Sequence, residues 1–184
     1  MRSPEGVRSF AHAQDYLPKK AVVVVMSKVS IIMGSKSDLP VAEKAIELLK
    51  RFGITFDIAV ASAHRTPGRV EELVKSSGSD VFIAIAGLSA ALPGAVASFT
   101  VRPVIGVPVS GKVNLDSLLS IVQMPPGIPV ASVGLDRGDN AAVLAAEMVA
   151  INDPVVRERL CIYRLEQAKK VISDSEQVIS DVGC

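Results

Sequence analysis

The sequence predicts a single α/β domain built on a parallel sheet with helices on both sides. Three observations carry this. From Lys28 onward, apolar runs of strand length alternate with longer stretches at helical spacing, the rhythm of βα units. The strand-length runs are near-continuous in Val, Ile and Ala rather than alternating, as strands covered on both faces are. Aromatic residues make up only 4% of the chain and Trp is absent, so the core is aliphatic.

The elements follow in order. Residues 1–20 combine Pro, Ser, His and mixed charge without periodicity, and Met26 stands just before the first convincing strand. Residues 1–25 are therefore read as an N-terminal extension; the alternative is an arm or edge strand through Ala21-Val22-Val23-Val24-Val25. Residues 26–184 form the domain. Val29–Met33 reads as the first strand and Gly34-Ser35-Lys36-Ser37-Asp38 as a loop. A helix over 39–52 carries Val41, Ala45, Leu48 and Leu49 on its apolar side. A second strand spans 56–61, followed by the loop Ser62-Ala63-His64-Arg65-Thr66-Pro67 and a helix ending near Gly78. The third strand, 81–86, is wholly apolar and leads into a loop ending at Pro93-Gly94. A fourth strand at 104–107 and a fifth at 128–133 precede an Ala-rich helix over 140–151. Asp153-Pro154 looks like an N-cap followed by a first-turn proline, opening a last helix over 153–180 on which Val156, Leu160, Tyr163 and Val171 share a face. Short crossovers between parallel strands put helices on both sides of the sheet.

Composition excludes several function classes. Twenty Lys plus Arg against nineteen Asp plus Glu leave a formal charge of +1, which is no basic footprint for nucleic acid. No run approaches the roughly 18 apolar residues of a membrane span, and 21–26 is too short for a signal peptide core. Two cysteines, Cys161 and Cys184, cannot make a disulfide framework, which points to a reducing cytoplasm. With only His12 and His64 as histidines, no metal site is expected.

In open α/β sheets ligands bind beyond the carboxyl ends of the strands, so the loops after the first three strands should converge on one edge. The first loop offers Gly34, two hydroxyls, a lysine and Asp38 at the start of a helix, suited to an anion, although Ser and Asp before a helix are more often plain caps. The second carries His64, the only histidine in the body of the domain, and an imidazole titrates near neutral pH without help. Arg65 beside it can hold a phosphate or carboxylate in a fork. The third loop, 87–94, is small and apolar, which suits a snug cover over a planar ring or a tight helix entry. Gly106-Val107-Pro108-Val109-Ser110-Gly111-Lys112-Val113 mimics a phosphate-binding P-loop until Val113 replaces the final hydroxyl, and Pro108 removes an N–H donor, so nucleotide hydrolysis is not expected there.

Taken together, Gly34-Ser35-Lys36-Ser37-Asp38, Ser62-Ala63-His64-Arg65-Thr66-Pro67, Leu92-Pro93-Gly94 and Ser120-Ile121-Val122-Gln123-Met124-Pro125-Pro126-Gly127-Ile128-Pro129-Val130 resemble the PurE family of purine biosynthesis over roughly residues 28–151. That family comprises N5-carboxyaminoimidazole ribonucleotide mutases and aminoimidazole ribonucleotide carboxylases. The resemblance implies a flavodoxin-like three-layer sandwich, a homo-octamer with sites at subunit junctions, an imidazole ribonucleotide substrate and no cofactor. By position His64 would be the acid/base. Ser35, Asp38 and Arg65 would bind the ribonucleotide, with Gly34 and its loop beside Arg65 on the phosphate and Asp38 on ribose hydroxyls. Ser62 and the third loop, through Gly87, Ser89 and Leu92, would line a carboxylate pocket. One departure matters: bacterial mutases usually carry histidine before Leu-Pro-Gly, where this chain has Ala91. The carboxylase class, which takes free CO₂, usually has a small residue there, and Ser89 is also similar to that class. Arg65-Thr66-Pro67, Pro93 and the 123–130 stretch are similar to the mutases. A non-catalytic nucleotide-binding module on the same fold is the rival from another class.

Overall fold

In the computed structural model, which describes residues 29–183, five strands pair into one sheet: β1 (Val29–Met33), β2 (Phe56–Val60), β3 (Val81–Ala86), β4 (Val104–Pro108) and β5 (Ala131–Ser132). Every pairing is parallel and the order is β2-β1-β3-β4-β5, the doubly wound flavodoxin-like arrangement. The edge-strand alternative for 21–25 lies outside the described residues.

Side chains alternate across each strand, so the sheet has two apolar faces and needs a helical layer on each. Val29, Ile31 and Met33 of β1 face α1 (Leu39–Phe52), α5 (Gly138–Ala150) and the start of α6 (Pro154–Val182). Ile32, with Phe82, Ala84 and Ala86 of β3, faces α2 (Pro67–Ser76), α3 (Leu92–Ser98) and α4 (Asn114–Val122). Central strands β1, β3 and β4 are buried at every position, which explains their unbroken apolar runs. The expected apolar face of α1 is also buried: Val41, Ala45, Leu48 and Leu49.

Several boundaries differ from the sequence reading, each for a local reason. The third loop stops at Ala91, because Leu92-Pro93-Gly94 already forms the first turn of α3, where a proline's missing N–H leaves no bond unmade. β2 ends at Val60, one residue short of expectation. The fifth strand shrinks from 128–133 to Ala131–Ser132: Pro125, Pro126 and Pro129 cannot donate to a ladder and Gly127 has φ +91°. Helix α4 was not anticipated at all. The supposed P-loop starts inside β4, where Gly106 pairs with Ala84 and Ser132, and a Cβ there would lie 2.5 Å from Ile121 Cγ2 of α4. Asp153 caps α6 by accepting from Val155 N and Val156 N. Val156 and Leu160 are buried and Tyr163 packs edge-on against Phe52, but Val171, expected on that face, is exposed because α6 has by then run past the body.

Helices α1 and α5 approach closely because their facing side chains are small: Ala42, Ala45, Ala141, Ala142 and Ala145 are fully buried. Gly138 sits at the tightest point, where a Cβ would fall 2.0 Å from the carbonyl oxygen of Val41. Gly138→Ala is therefore expected to destabilise the fold by about 1–3 kcal/mol through backbone displacement. Gly68→Ala, with nothing within 4 Å of its added methyl, should leave the urea midpoint unchanged or slightly raised.

Candidate active site

The register puts Met33 level with Val60 on one side and Ile85 on the other, so the chain leaves three adjacent strands at the same height. The loops beyond them enclose a cavity of about 620 Å³. Its wall holds Gly34, Ser35 and Asp38 from the first loop, Ser62, His64 and Arg65 from the second, and Gly87, Ser89 and Leu92 from the third and the start of α3. All nine residues singled out from sequence are thus brought together. Ala91, the N-cap of α3, is half-buried and does not line this cavity.

The first loop is closed by its own polar groups. Ser35 caps a 3₁₀ turn at Lys36–Asp38, its Oγ accepting from Ser37 N at 3.3 Å, while Asp38 Oδ2 accepts from Ser35 N at 3.0 Å. This reciprocal capping box explains the Ser-x-x-Asp spacing. Ser37 Oγ lies 3.0 Å from Ser35 Oγ and 3.3 Å from Asp38 Oδ1, its one proton serving either. Asp38 is buried, and that burial pushes its pKa above the usual carboxylate value, opposed by the bonds from Ser35 and Ser37 and by the charge of Arg65.

The second loop is a turn in which Thr66 N–H donates to Ser62 O, and Ser62 N–H to Thr66 Oγ1, both at 2.9 Å. Ser62 Oγ accepts from the backbone N–H and the Nε of Arg65, each at 3.3 Å. Arg65 Nη2 then reaches the first loop and donates to Gly34 O at 3.0 Å. Its Nη1 has no partner among the described residues. His64 is exposed at the tip of this turn and makes no hydrogen bond among the described residues, so both ring nitrogens are available to a ligand.

The third loop holds Ser89 at φ +46°, a left-handed conformation that costs a non-glycine residue on the order of 1 kcal/mol or more. Asp116 of α4 secures it, accepting from Ser89 N at 3.2 Å. The strand-end rule also applied to the loop after β4, but its resemblance to a P-loop drew attention from it: Val109, Ser110 and Gly111 complete the cavity wall. Asp136, itself at φ +56°, accepts from Ser110 N at 2.9 Å, and Asn114 Oδ1 accepts from Gly111 N at 2.8 Å. No cluster of three metal-ligating side chains occurs among the described residues.

A small-ligand site at the carboxyl edge of a doubly wound sheet is the class that this fold and cavity define. The family described as AIR carboxylase matches residues 28–170, and the chain belongs to that family. It is 60% identical over 151 residues to the N5-carboxyaminoimidazole ribonucleotide mutase of Methanocaldococcus jannaschii, spanning 82% of this chain and 96% of the relative. It is 47% identical over 163 residues to the Thermotoga maritima protein of the same name, spanning 86% and 95%. The crystal structure of Treponema denticola PurE superposes with a TM-score of 0.74 at 35% identity, over 81% of this chain and 96% of that one. These findings bear out the family resemblance and the flavodoxin-like fold.

The raised pKa of Asp38 has a signed consequence. In the folded state the carboxyl holds its proton to higher pH than in the unfolded chain, so its ionisation costs stability as pH rises from about 3.8 through the folded value. Asp38→Asn lacks this term while keeping an acceptor for Ser35 N. Its stability relative to the parent should therefore improve between pH 4 and pH 7, read as the difference in urea midpoints. An unchanged difference would show that Asp38 ionises in the fold as it does in the unfolded chain.

Proposed function

We propose that the chain converts N5-carboxyaminoimidazole ribonucleotide to 4-carboxy-5-aminoimidazole ribonucleotide, a step of de novo purine biosynthesis. The observation that carries the reading is the His64 ring, without a hydrogen bond among the described residues, on the wall of a cavity assembled from four strand-end loops, in a chain so similar to named mutases. The chemistry needs one proton carrier. Breaking the bond between the exocyclic nitrogen and the carboxylate releases CO₂ and requires a proton on that nitrogen. Attack of ring carbon C4 on the CO₂ forms the new bond and releases the C4 proton. One imidazole that donates first and accepts later returns to its starting state, and that is the role given to His64.

The remaining residues bind and orient. Arg65 presents a guanidinium beside the Gly34 carbonyl, where a phosphate would meet its Nη1 donors. Asp38 has acceptor capacity beyond its internal bonds for ribose hydroxyls. Ser62, Gly87, Ser89 and Leu92 bound the region that receives the carboxylate. Leu88, 76% exposed at the cavity rim, is a side chain that a neighbouring subunit would cover, in keeping with an octamer whose sites lie at subunit junctions. A cytoplasmic location belongs to the same reading, and no helix among the described residues is long and apolar enough to cross a membrane.

Ala91 favours a second reading, a carboxylase that takes CO₂ from solution. Supplying the carboxyamino substrate with ¹³C-bicarbonate separates the two. A mutase keeps its CO₂ in the cavity, so little label should enter product; full incorporation, or no turnover without bicarbonate, would establish the carboxylase.

His64→Asn keeps the side-chain shape and removes the proton carrier. Turnover should fall by about 10²- to 10⁴-fold, with ribonucleotide binding and thermal unfolding nearly unchanged. Activity within about threefold of the parent would remove His64 from the chemistry, since general acid–base groups are worth more than that.

A further inference from the structure

Two of the loops around the cavity are held from one place, the first turn of α4. Asn114 Oδ1 accepts from Gly111 N at 2.8 Å, and Ser117 Oγ donates to Val109 O at 3.2 Å or to Asn114 O at 3.0 Å, which secures the loop after β4. From the same turn Asp116 reaches the third loop and accepts from Ser89 N at 3.2 Å, the only side-chain hydrogen bond to residues 87–91 among the described residues. Ser117 is buried, and Ile121 one turn further on is wholly buried over Gly106, so this turn is fixed to the sheet. The bond from Asp116 falls where the third loop most needs holding. Ser89 has φ +46° and its carbonyl accepts from Ala91 N at 2.6 Å, a tight reversal that a non-glycine residue leaves unless its surroundings hold it. Gly87 and Leu88, on the cavity wall just before it, keep amides that make no hydrogen bond among the described residues.

We propose that Asp116 is a positioning residue for CO₂ retention: by fixing Ser89 it keeps the third loop closed over the place where CO₂ waits between leaving nitrogen and joining C4. The inference rests on the mutase reading above, in which cleavage of the nitrogen–carboxylate bond, with a proton going to the nitrogen, leaves CO₂ and the unsubstituted ribonucleotide together in the cavity. CO₂ carries no charge and accepts hydrogen bonds weakly, so its escape is delayed by donors already in place and by a wall that stays shut. Ala91, the last residue of the loop, adds no polar side chain to that wall. Retention therefore falls on the loop backbone. Released at Ser89, the loop would relax out of the left-handed conformation and carry the Gly87 and Leu88 amides with it. Asp116 itself does not line the cavity, so its effect runs through Ser89. A carboxylate in the first turn of a helix also favours the helix through its dipole. Asparagine would lose that contribution yet keep an acceptor for Ser89 N, which separates the two roles.

The test gives the full chain the carboxyamino substrate in ¹³C-bicarbonate. Unsubstituted ribonucleotide and labelled product are counted per substrate consumed, after subtracting breakdown without enzyme. Asp116→Ala should raise both by about tenfold, the effect of losing one hydrogen bond to a charged group. Asp116→Ser, whose hydroxyl is too short to reach Ser89 N, should leak in the same way and serves if Asp116→Ala fails to fold, which thermal unfolding of each variant checks. Asp116→Asn, with its acceptor kept, should stay within about threefold of the parent. A leak at the parent's level in Asp116→Ala and Asp116→Ser, or one raised as much by Asp116→Asn, would overturn the role of Asp116 and leave the mutase reading standing. Full labelling of product by the parent chain would instead overturn that reading, and this inference with it.

Discussion

Beyond the last residue of its strands the parallel ladder continues for one more bond in each gap. Ala61 N–H donates to Met33 O, Gly34 N–H to Ile85 O and Val109 N–H to Ala86 O, each at 2.9 Å, and Val133 N–H to Gly106 O at 3.2 Å. These four bonds are the constraint on which the site depends. They carry the rigidity of the sheet one residue past β1, β2, β4 and β5 at its carboxyl edge, so that loops from distant parts of the chain start from fixed points. Without them each loop would begin as a free segment, and ordering its residues would have to be paid for at about 1–2 kcal/mol each by the ligand.

Past those anchors the loops are held by carboxylates. Asp38 accepts from Ser35 N, Asp116 from Ser89 N and Asp136 from Ser110 N, one clamp for each of three loops. An aliphatic core cannot do this work, because dispersion and burial have no direction, whereas a carboxylate bonded to a backbone N–H fixes both distance and angle. The arrangement brings negative charge to a cavity assigned to an anionic ribonucleotide. Two features offset it. Part of each carboxylate's charge is taken up by the N–H it holds, and Arg65 ties the first two loops together with a full positive charge. Lys44 adds a further cation beside the residue that clamps the fourth loop, donating to the Asp136 carbonyl at 3.1 Å.

What the sequence revealed follows from where its signals originate. β1, α1 and β3 were read with their observed boundaries because each is a periodic or unbroken apolar segment closed by punctuation that acts locally: the loop after Met33, Gly53 at φ +69° after Phe52, and Gly87 after Ala86. Helices α3 and α4 were missed because their apolar residues answer to tertiary neighbours. Pro93-Gly94 looks like a turn until the sheet places Gly94 against Met124, and α4 is fixed by Ile121 seated over Gly106. The converged loops were legible because the carboxyl-edge rule needs only the order of elements. The clamps Asp116 and Asp136 were not, since both lie 26 or 27 residues away in sequence from the N–H groups they hold. Val171 shows the opposite failure: its spacing was right for the buried face, but burial also requires a body to pack against, and helical period says nothing about where that body stops.

His64 differs from the acidic residues around the cavity in making no hydrogen bond among the described residues. In many sites a carboxylate fixes the tautomer and orientation of a catalytic imidazole, which then takes a proton in one step and gives it up in another. The reaction proposed here asks one ring to deliver a proton to the exocyclic nitrogen and to take one from the adjacent carbon. With no carboxylate bonded to the ring among the described residues, the burden of alignment falls on the substrate and on the backbone beneath the histidine. The turn supplies the second part: Ser62 and Thr66 bond across it, and Arg65, the next residue, is fastened to both Ser62 and Gly34. The side chain proposed as the proton carrier thus stands on a backbone that is held on both sides, and the neighbouring arginine, proposed to meet the phosphate, is part of that hold.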